Sequence, residues 1–446
     1  MLICVPILEV KMKSRLFLAA ICFFFLTTSI SFGYNFTLNP RLSVANQYTD
    51  NVLLTPNNDL KKDDFITTVS LGFTGELVGK KGNAKISYDP SYAFYNRFDE
   101  FNSWRHNATL SGVYRIGKNT RFNVGDHFRY TEDPIIYDNI AVIRTEEPNA
   151  PIDTTARRTR RAYTTNYASA NLQNRFGKYD SFRLGYSHSL LSNDDPEYQD
   201  EQNHNASAGL THWFGPKWGF DVSGQYTRAE YEVSDNINEY QGSLSLLKRF
   251  GKHFIGYIRY SHVVVNYDSK SGNDTTYIPS IGIKYDIEKD ISLIADVGYF
   301  YTDSDFRDNT SNAAGDLRLI KRFEHGQLNL AVLGGYDYNL YGAETLGYGV
   351  YYEASASLTY QLAKHVRGNI FGSYRDTKYK DASDREDKRP TIGLGLNWQA
   401  LQWMNLGLNY QFQSIDSTID ANDYDDNRVS VVITLVPKVP FHTSRY

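Results

Sequence analysis

The sequence predicts an all-β protein, a transmembrane antiparallel up-and-down β-barrel of about 20 strands. Strand-like segments follow one another through nearly the whole chain, and apolar and polar residues alternate within them. Short turns also alternate with long loops rich in Asn and Asp. Short periplasmic turns and long extracellular loops are typical of bacterial outer-membrane barrels. Strand boundaries read from sequence are uncertain by a few residues, so about 18 to 22 strands fit the pattern.

The first 33 residues have the pattern of a secretory signal peptide. Lys11, Lys13 and Arg15 form a positive segment, an apolar stretch follows over 16–26, and Gly33 is a small residue before the expected cleavage site. The alternative is a retained membrane anchor, but the apolar stretch is shorter than the roughly 20 residues of a membrane-spanning helix. We therefore expect a signal peptide over 1–33 and a barrel domain over 34–446.

The composition of the 446 residues agrees with a barrel. Mean hydropathy is −0.48, which is too polar for a helical membrane protein, whereas a barrel strand exposes only every second side chain to lipid. Both cysteines, Cys4 and Cys22, lie in the predicted signal peptide. The formal net charge of −4 does not suggest a nucleic-acid partner.

The fold prediction rests mainly on the alternation of apolar and polar residues within the strand-like segments. Leu406 and Leu408 alternate with Asn405, Gly407 and Asn409, so one face meets an apolar medium and the other meets water. The predicted strands lie within 37–435, at 37–49, 64–77, 84–98, 104–116, 121–131, 163–175, 181–192, 203–214, 218–231, 238–250, 253–267, 275–287, 291–302, 312–323, 327–340, 348–361, 365–378, 389–399, 403–414 and 427–435.

A few positions depart from this pattern. Pro90 lacks a ladder donor in mid-strand, which predicts a bulge. Asp126 falls in apolar register, which predicts either a bulge or a strand turned inward. Ile294 and Phe300 fall on the polar face of their strand. Residues 436–446 form a C-terminal tail that holds Pro437 and Pro440; either the assembly signal is internal, or the tail is an extra periplasmic peptide.

Five tryptophans lie at predicted strand ends: Trp104, Trp213, Trp218, Trp398 and Trp403. Tyr and Trp prefer the membrane–water boundary, because one end of the side chain is apolar and the other forms hydrogen bonds. We predict that these residues belong to the aromatic girdles. The alternative is that they are ordinary strand-end residues.

The predicted inner face carries charges of both signs. These residues are Arg115, Arg121, Arg129, Arg183, Asp221, Lys284, Asp286, Asp296, Asp316, Arg318, Arg322, Asp337, Glu353, Arg367 and Arg375. Such charges either set solute preference in a lumen or pair across neighbouring strands. A barrel of about 20 strands is too wide for side chains alone to fill, so we expect a water-filled channel or one blocked by loops.

The longest predicted connection, 132–162, contains Arg157, Arg158, Arg160 and Arg161. Loops of this length are commonly functional or disordered. The loop could fold inward as a basic constriction that selects anionic solutes. It could instead contact lipopolysaccharide, or remain solvated outside the barrel.

Signals for catalysis or metal binding are weak. Ser187-His188 and Ser261-His262 lie within strands, where neighbouring side chains point to opposite faces, so neither pair can form a dyad. The ten His residues show no ligand spacing. We expect no enzymatic activity, metal or cofactor.

Several short segments carry a family resemblance. Asn39-Pro40-Arg41-Leu42-Ser43-Val44, followed by Tyr48-Thr49-Asp50-Asn51-Val52, resembles the start of putative β-barrel porin 2 proteins. It is also similar to outer-membrane proteins associated with PEP-CTERM/exosortase and exopolysaccharide gene sets. The segments 88–92 and 424–429 are similar to recurring parts of the same proteins. The resemblance implies an outer-membrane barrel that could be linked to polysaccharide export, and it supplies no catalytic or binding residues.

These observations predict a passive, porin-like diffusion channel for small hydrophilic solutes or ions in the outer membrane of a Gram-negative bacterium. One alternative is the outer-membrane component of an exopolysaccharide secretion system, with a plugged resting state. Another is a non-conducting binding or adhesion barrel. Expected partners are membrane lipid, lipopolysaccharide, the barrel-assembly machinery and, for the first alternative, export components. No outward patch in the sequence identifies a subunit interface.

Overall fold

A computed structural model describes residues 35–444, apart from 57, 135–157, 270–271, 288–289, 339–343, 345 and 382–384. In this part the chain forms one antiparallel sheet in which each of the long strands pairs with the next long strand along the sequence. The predicted signal peptide and Arg157 lie outside the described residues. Among the residues described, no helix has the length and apolar character needed to span a membrane.

The sheet contains twenty long strands and one short one. They are β1 (Asn35–Thr49), β2 (Asp64–Val78), β3 (Gly82–Tyr95), β4 (Ser103–Ile116), β5 (Thr120–Thr131), β6 (Tyr163–Arg175), β7 (Ser181–Asn193), β8 (Glu201–Trp213), β9 (Trp218–Tyr231), β10 (Ile237–Arg249), β11 (Phe254–Tyr267), β12 (Asn273–Ile287), β13 (Ile291–Ser304), β14 (Thr310–Phe323), β15 (Gly326–Asp337), β16 (Gly349–Ala363), β17 (Val366–Tyr379), β18 (Glu386–Leu401), β19 (Met404–Ser417), β20 (Tyr424–Leu435) and β21 (Phe441–Ser444). Short 3₁₀ helices lie at Asn58–Leu60, Asp99–Phe101 and Asp420–Asn422.

The barrel closes between the first and last long strands. β1 pairs with β20 from Leu42 opposite Leu435 to Thr49 opposite Arg428. The chain leaves this ladder around Pro437 and Pro440, which have no N–H to donate, and returns as β21 beside the first residues of β1. The prediction of an up-and-down barrel of about 20 strands is confirmed, and the predicted tail contains a short strand that continues the pairing of β1.

Both irregularities predicted within the strands are wrong. Pro90 lies opposite His106 on β4 without a register shift, and the pairing with β2 is interrupted opposite Asp89 and Pro90 but resumes in the same register, so the missing donor causes no bulge. Asp126 lies opposite Leu110 on β4 and Ala168 on β6, again without a register shift. The Asp126 side chain therefore keeps its outward direction, and the strand has not turned inward.

The two faces of the sheet have opposite chemistry. On β18, Ile392, Leu394 and Leu396 point outward and are 40–47% exposed, while Thr391 on the inner face is buried. Large apolar side chains are exposed in the same alternating way on strands all around the barrel. In water this surface would be unfavourable, but it fits a hydrocarbon surrounding, which needs a band about 25 Å tall.

If the faces are assigned correctly, an arginine introduced at the same depth should destabilise the barrel more on the outer face than on the inner face. Leu394 on β18 and Thr109 on β4 each lie seven residues from the turn-side ends of their strands, at Leu401 and Ile116. Leu394 faces outward, and Thr109 is an exposed residue of the inner face. Leu394→Arg should lower the free energy of unfolding by about 2–4 kcal/mol in lipid, because Arg then lies near the middle of the bilayer. Thr109→Arg should cost less than about 1 kcal/mol, since a lumen position is hydrated.

Reversible denaturant titration of the protein in lipid vesicles measures both changes. Equal losses of stability for the two variants would contradict the assignment of faces.

Candidate functional site

The candidate site is the interior of the barrel. The eleven charged residues predicted to set selectivity all lie at inner-face positions: Arg115, Arg129, Arg183, Asp296, Asp316, Arg318, Arg322, Asp337, Glu353, Arg367 and Arg375. The regular register explains this result, because a side-chain period of two holds across every strand without a shift in mid-membrane. Whether these residues select solutes stays a prediction.

Several of these charges form ion pairs, either within one strand or between strands separated by one other strand. Arg183 lies 2.8 Å from Asp221, Arg318 lies 2.8 Å from Asp316, and Asp296 lies 2.7 Å from Arg259. Arg259 on β11 was not singled out in the sequence, although its odd position places it on the same face as Tyr257 and Ser261. These pairs line the interior with bound charge rather than leaving it uniformly basic.

Arg375 forms the most connected of these contacts. Its guanidinium lies 3.0 Å from Asp337 on β15 and 3.3 Å from Glu353 on β16, and 4.1 Å from the ring centre of Tyr351. Glu353 stands directly opposite Arg375 in the ladder and its side chain is 3% exposed. One cation therefore neutralises two carboxylates in a confined part of the interior.

The turn-side half of the interior is open to solvent. Thr109, Ser111 and Asn171 are exposed although they lie on the inner face, well inside their strands. Arg115 and Arg121 face each other across β4 and β5 near the rim, and both are exposed. Arg322 and Arg367 are also exposed near the turns, and Arg129 is half-buried. The turn-side half of the interior is therefore hydrated and charged.

The loop-side half is filled. Inner-face residues near the extracellular ends of many strands are almost completely buried. They include Thr49, Asp64, Ala93, Thr131, Leu191, Glu201, Ala229, Val265, Asp274, Thr302, Thr377, Asp387, Ile415 and Asp426. Loops therefore cover the interior from above.

Two arginines near the end of the long connection fasten loops together, and we call Arg158 and Arg160 the arginine latch. Arg158 donates to the carbonyl oxygens of Leu54 at 2.8 Å and Asp423 at 3.1 Å, and also to that of Ala421. These acceptors lie in the β1–β2 and β19–β20 loops, so Arg158 ties three loops together across the mouth.

Arg160 is 5% exposed. It donates to the Tyr95 hydroxyl at 2.8 Å and to the Val52 carbonyl, and its guanidinium lies 4.7 Å from the ring centre of Phe101. Both arginines of the latch thus contact neighbouring loops at the mouth, while Arg161 is exposed. Their acceptors are neutral, Arg157 lies outside the described residues, and a basic constriction that selects anionic solutes stays a prediction.

Backbone strain coincides with the arginine latch. In the part of the chain that the structure describes, the non-glycine residues with positive φ are Leu54 (51°) and Arg160 (52°). Such conformations are costly for side chains with a Cβ and persist only where surrounding contacts impose them. Leu54 is fully buried against Ile415 and Tyr424, and its carbonyl accepts from Arg158. Opening the arginine latch would release this strain.

The second closing element is an aromatic group that we call the tyrosine plug: Phe300, Tyr336, Tyr338 and Tyr348. Pairing between β14 and β15 ends at Gly315 opposite Gly334, and the last residues of β15 stay paired with β16 alone. The ring centres of Phe300 and Tyr336 lie 5.3 Å apart, and those of Tyr338 and Tyr348 lie 5.1 Å apart.

The tyrosine plug packs against the inner face of the nearby strands β9 to β11. Ala229 on β9 and Val263 and Val265 on β11 belong to the same buried cluster as Tyr338 and Tyr348. In the sequence, the tyrosine plug is signalled only by Phe300, an apolar residue on the polar face of its strand. Nothing in the alternation indicated that three tyrosines from a distant hairpin would meet it.

Arg307, in the β13–β14 loop, covers the tyrosine plug. It pairs with Asp274 and, at 3.0 Å, with Asp381, and it lies 4.2 Å from the ring centre of Tyr348. Burial raises the pKa of the Tyr348 hydroxyl to about 12, so the ring stays neutral in ordinary conditions.

Four of the five tryptophans lie at the outer surface near strand ends or turns. Trp104, Trp218, Trp398 and Trp403 are 38–56% exposed. Trp213 differs: it lies on the inner-face register of β8, with its ring over Gly219 and 4.1 Å from the Arg249 guanidinium. The prediction placed it in the outer girdle, but only its position at the strand end was visible in the sequence.

No group of three or more His, Cys, Asp or Glu side chains in the described ranges is arranged to hold a metal ion. The closed antiparallel barrel, with lipid-compatible outer residues and a charged interior, defines a porin-like β-barrel of the outer-membrane type.

The family described as "Putative beta-barrel porin 2" matches residues 343–436, from the β15–β16 connection to the end of β20. This match confirms, for that part of the chain, the resemblance read from the sequence. No curated protein matches the chain.

Solved barrels align with most of the chain at low sequence identity. The FrpB iron transporter from Neisseria meningitidis aligns with 90% of this chain and 82% of its own, at 9% identity and a TM-score of 0.49. The siderophore receptor PirA from Pseudomonas aeruginosa aligns with 90% and 80%, at 7% identity and a TM-score of 0.45. OpdK with vanillate, also from Pseudomonas aeruginosa, aligns with 90% and 99%, at 9% identity and a TM-score of 0.41.

Removing Arg375 tests whether the interior contacts stabilise the barrel. Arg375→Ala should lower the free energy of unfolding by about 3–5 kcal/mol, because the buried Glu353 and its neighbour Asp337 would lose their cation. Arg367→Ala, on the same strand and face but exposed, should change it by less than about 0.5 kcal/mol. Denaturant titration of both variants in lipid measures the difference. A small effect of Arg375→Ala would show that the carboxylates are stabilised by other groups.

Proposed function

We propose that this protein is a non-enzymatic channel of the bacterial outer membrane, which passes small hydrophilic solutes or ions and is closed at rest by its own loops. The proposal rests on one observation: the turn-side half of the interior is hydrated and charged, whereas the loop-side half is filled. A structural barrel without transport would have no need of hydrated inner positions such as Thr109 and Ser111.

The closing contacts suit a gate that opens without unfolding the barrel. The arginine latch acts through carbonyl oxygens of loops, and the strand ladder below it is unaffected by those bonds. Hydrogen bonds from a charged donor contribute about 1.5–3 kcal/mol each. A few such bonds, opposed by strain at Leu54 and Arg160, give a closed state that solutes or voltage could displace.

A second candidate is the outer-membrane component of an exopolysaccharide secretion system. The tyrosine plug favours it, because inward aromatic rings and hydroxyl groups suit contacts with sugar rings, and a plugged resting state fits partner-dependent opening. Reconstitution separates the two candidates. A channel that gates by itself opens in a pure lipid bilayer, whereas a secretion component stays closed until its partners are added.

Weakening the arginine latch should open the channel. In planar bilayers, wild-type protein should show long closed periods, and the double variant Arg158→Ala/Arg160→Ala should raise the open probability several-fold, because three loops lose their shared donors. Arg161→Ala is the matched control, since this neighbouring arginine is exposed.

Heat-modifiable migration in gels would show that each variant is folded. Equal open probability in all three folded proteins would exclude the arginine latch as the gate.

The inner charges near the rim should make the open channel prefer anions. Arg115 and Arg121 stand directly opposite each other, an arrangement of like charges that costs stability and is suited to attracting anions. Arg115→Glu/Arg121→Glu should shift the reversal potential in asymmetric KCl towards cation preference. Lys118→Glu makes the same kind of change in the adjacent turn and should shift it much less. An unchanged reversal potential in the double variant would rule out selectivity by this pair.

A further inference from the structure

A row of polar side chains crosses the outer surface of the barrel. The pairing register places Asp126 opposite Ala168, Ala168 opposite His188, His188 opposite His204, and His204 opposite Arg228. We call Asp126, His188, His204 and Arg228, with the small Ala168 between the first two, the outer polar row. Their neighbours two positions away include Val124 on β5 and Tyr186 on β7, and Tyr186 is 48% exposed at the outer face.

The lower part of this row lies within the apolar band of the membrane. Asp126 is six residues above Thr120, the turn-side end of β5, and His188 is seven residues above Ser181, the turn-side end of β7. A tilted strand rises roughly 2.5 Å per residue along the barrel axis, so both lie roughly 15–18 Å above the turns. The opposite end of the row, at Arg228, reaches the loop side, where Arg228 pairs with Asp268 at 2.7 Å.

Polar groups at the depth of Asp126 and His188 are costly against lipid. Asn166 donates to the Asp126 carboxylate at 3.0 Å, and the Tyr186 hydroxyl lies 2.8 Å from Nδ1 of His204. A carboxylate can accept up to about four hydrogen bonds, so Asn166 alone does not replace its hydration. On β18, on the other side of the barrel, Ile392, Leu394 and Leu396 occupy the corresponding outer positions.

The shape of this sector also differs. Below the polar row, Ala170, Ala206, Ala208 and Gly224 form the floor of an outer depression of about 750 Å³. Tyr186 and Tyr226 stand at its rim. Small residues let two protein surfaces approach closely inside a membrane, where packing and hydrogen bonds drive association.

We propose that this sector, centred on β6, binds a second copy of the same chain. Copies inserted in one membrane share their orientation, so a two-fold axis between them runs along the membrane normal and brings together residues of equal depth. Asp126 and His188 have nearly equal depth and lie on either side of β6. A two-fold axis at Ala168 therefore places Asp126 of each copy against His188 of the other.

The charges of the outer polar row favour a second copy of the chain as the partner. One interface would contain two Asp–His contacts, and each copy would supply both a carboxylate and an imidazole. Lipopolysaccharide presents its anionic groups at the outer boundary, near Arg228, and has no donor at the depth of Asp126. The geometry thus fits a self-complementary protein surface better than a lipid headgroup.

Disulfide trapping tests the dimer, since both cysteines of the sequence lie in the predicted signal peptide. Ala168→Cys in outer membranes should give a cross-linked dimer under mild oxidation, because the axis brings the two copies of this position together. Ala356→Cys is the matched control: it lies on β16, also seven residues from the turn-side end of its strand, and faces outward on another side of the barrel. Equal cross-linking of the two variants, or none with Ala168→Cys, would overturn the proposal.

A charge exchange in the Ala168→Cys protein tests the Asp–His contact. Asp126→His and His188→Asp should each reduce the cross-linked fraction several-fold, and the double exchange should restore it. Heat-modifiable gel migration confirms that each variant is folded. A double exchange that remains as weak as the single ones would overturn the assigned contact. Folded, monomeric protein whose lipopolysaccharide content falls on changing Asp126 would show that lipid occupies this surface instead.

Discussion

The structure depends on one constraint: backbone N–H and C=O groups within a lipid layer must bond to each other. Nineteen consecutive antiparallel pairings from β1 to β20 satisfy this only if the first and last long strands also meet, and β1 and β20 do so from Leu42 to Thr49. Because Pro437 and Pro440 interrupt the last strand, β21 supplies the remaining partner for the first residues of β1. Closure then fixes which side of every strand faces lipid and which faces the interior.

The width of the closed barrel explains why the interior is hydrated on the turn side and filled on the loop side. On the turn side, residues such as Ser111 are exposed because a ring of this size leaves space that side chains do not fill. On the loop side, the same width lets whole loops enter, and the arginine latch and the tyrosine plug occupy the space. Arg375 holds two carboxylates beneath this layer. The interior therefore combines a rigid wall with a cover made of separable contacts.

Period-two alternation was sufficient to predict the barrel, the inner position of residues such as Asp337 and Arg375, and the limits of the long loop that ends before Tyr163. It could not predict contacts set by three-dimensional closure. Arg160 meets Val52, and Tyr348 meets Phe300 through a shared cluster, only after the loops fold inward. Asp126 shows the opposite limit: its charge suggested an irregular strand, but the strand is regular, and the residue belongs to an outer polar row visible only once the register is known.

The central claim is that neighbouring side chains alternate between an aqueous interior and the lipid. Single cysteines placed in turn at Ala108, Thr109, Leu110 and Ser111 of β4, treated with a membrane-impermeant thiol reagent from the turn side, test it most directly. Cysteines at 109 and 111 should react rapidly, and those at 108 and 110 should be protected. Uniform reactivity, or the reverse pattern, would contradict it.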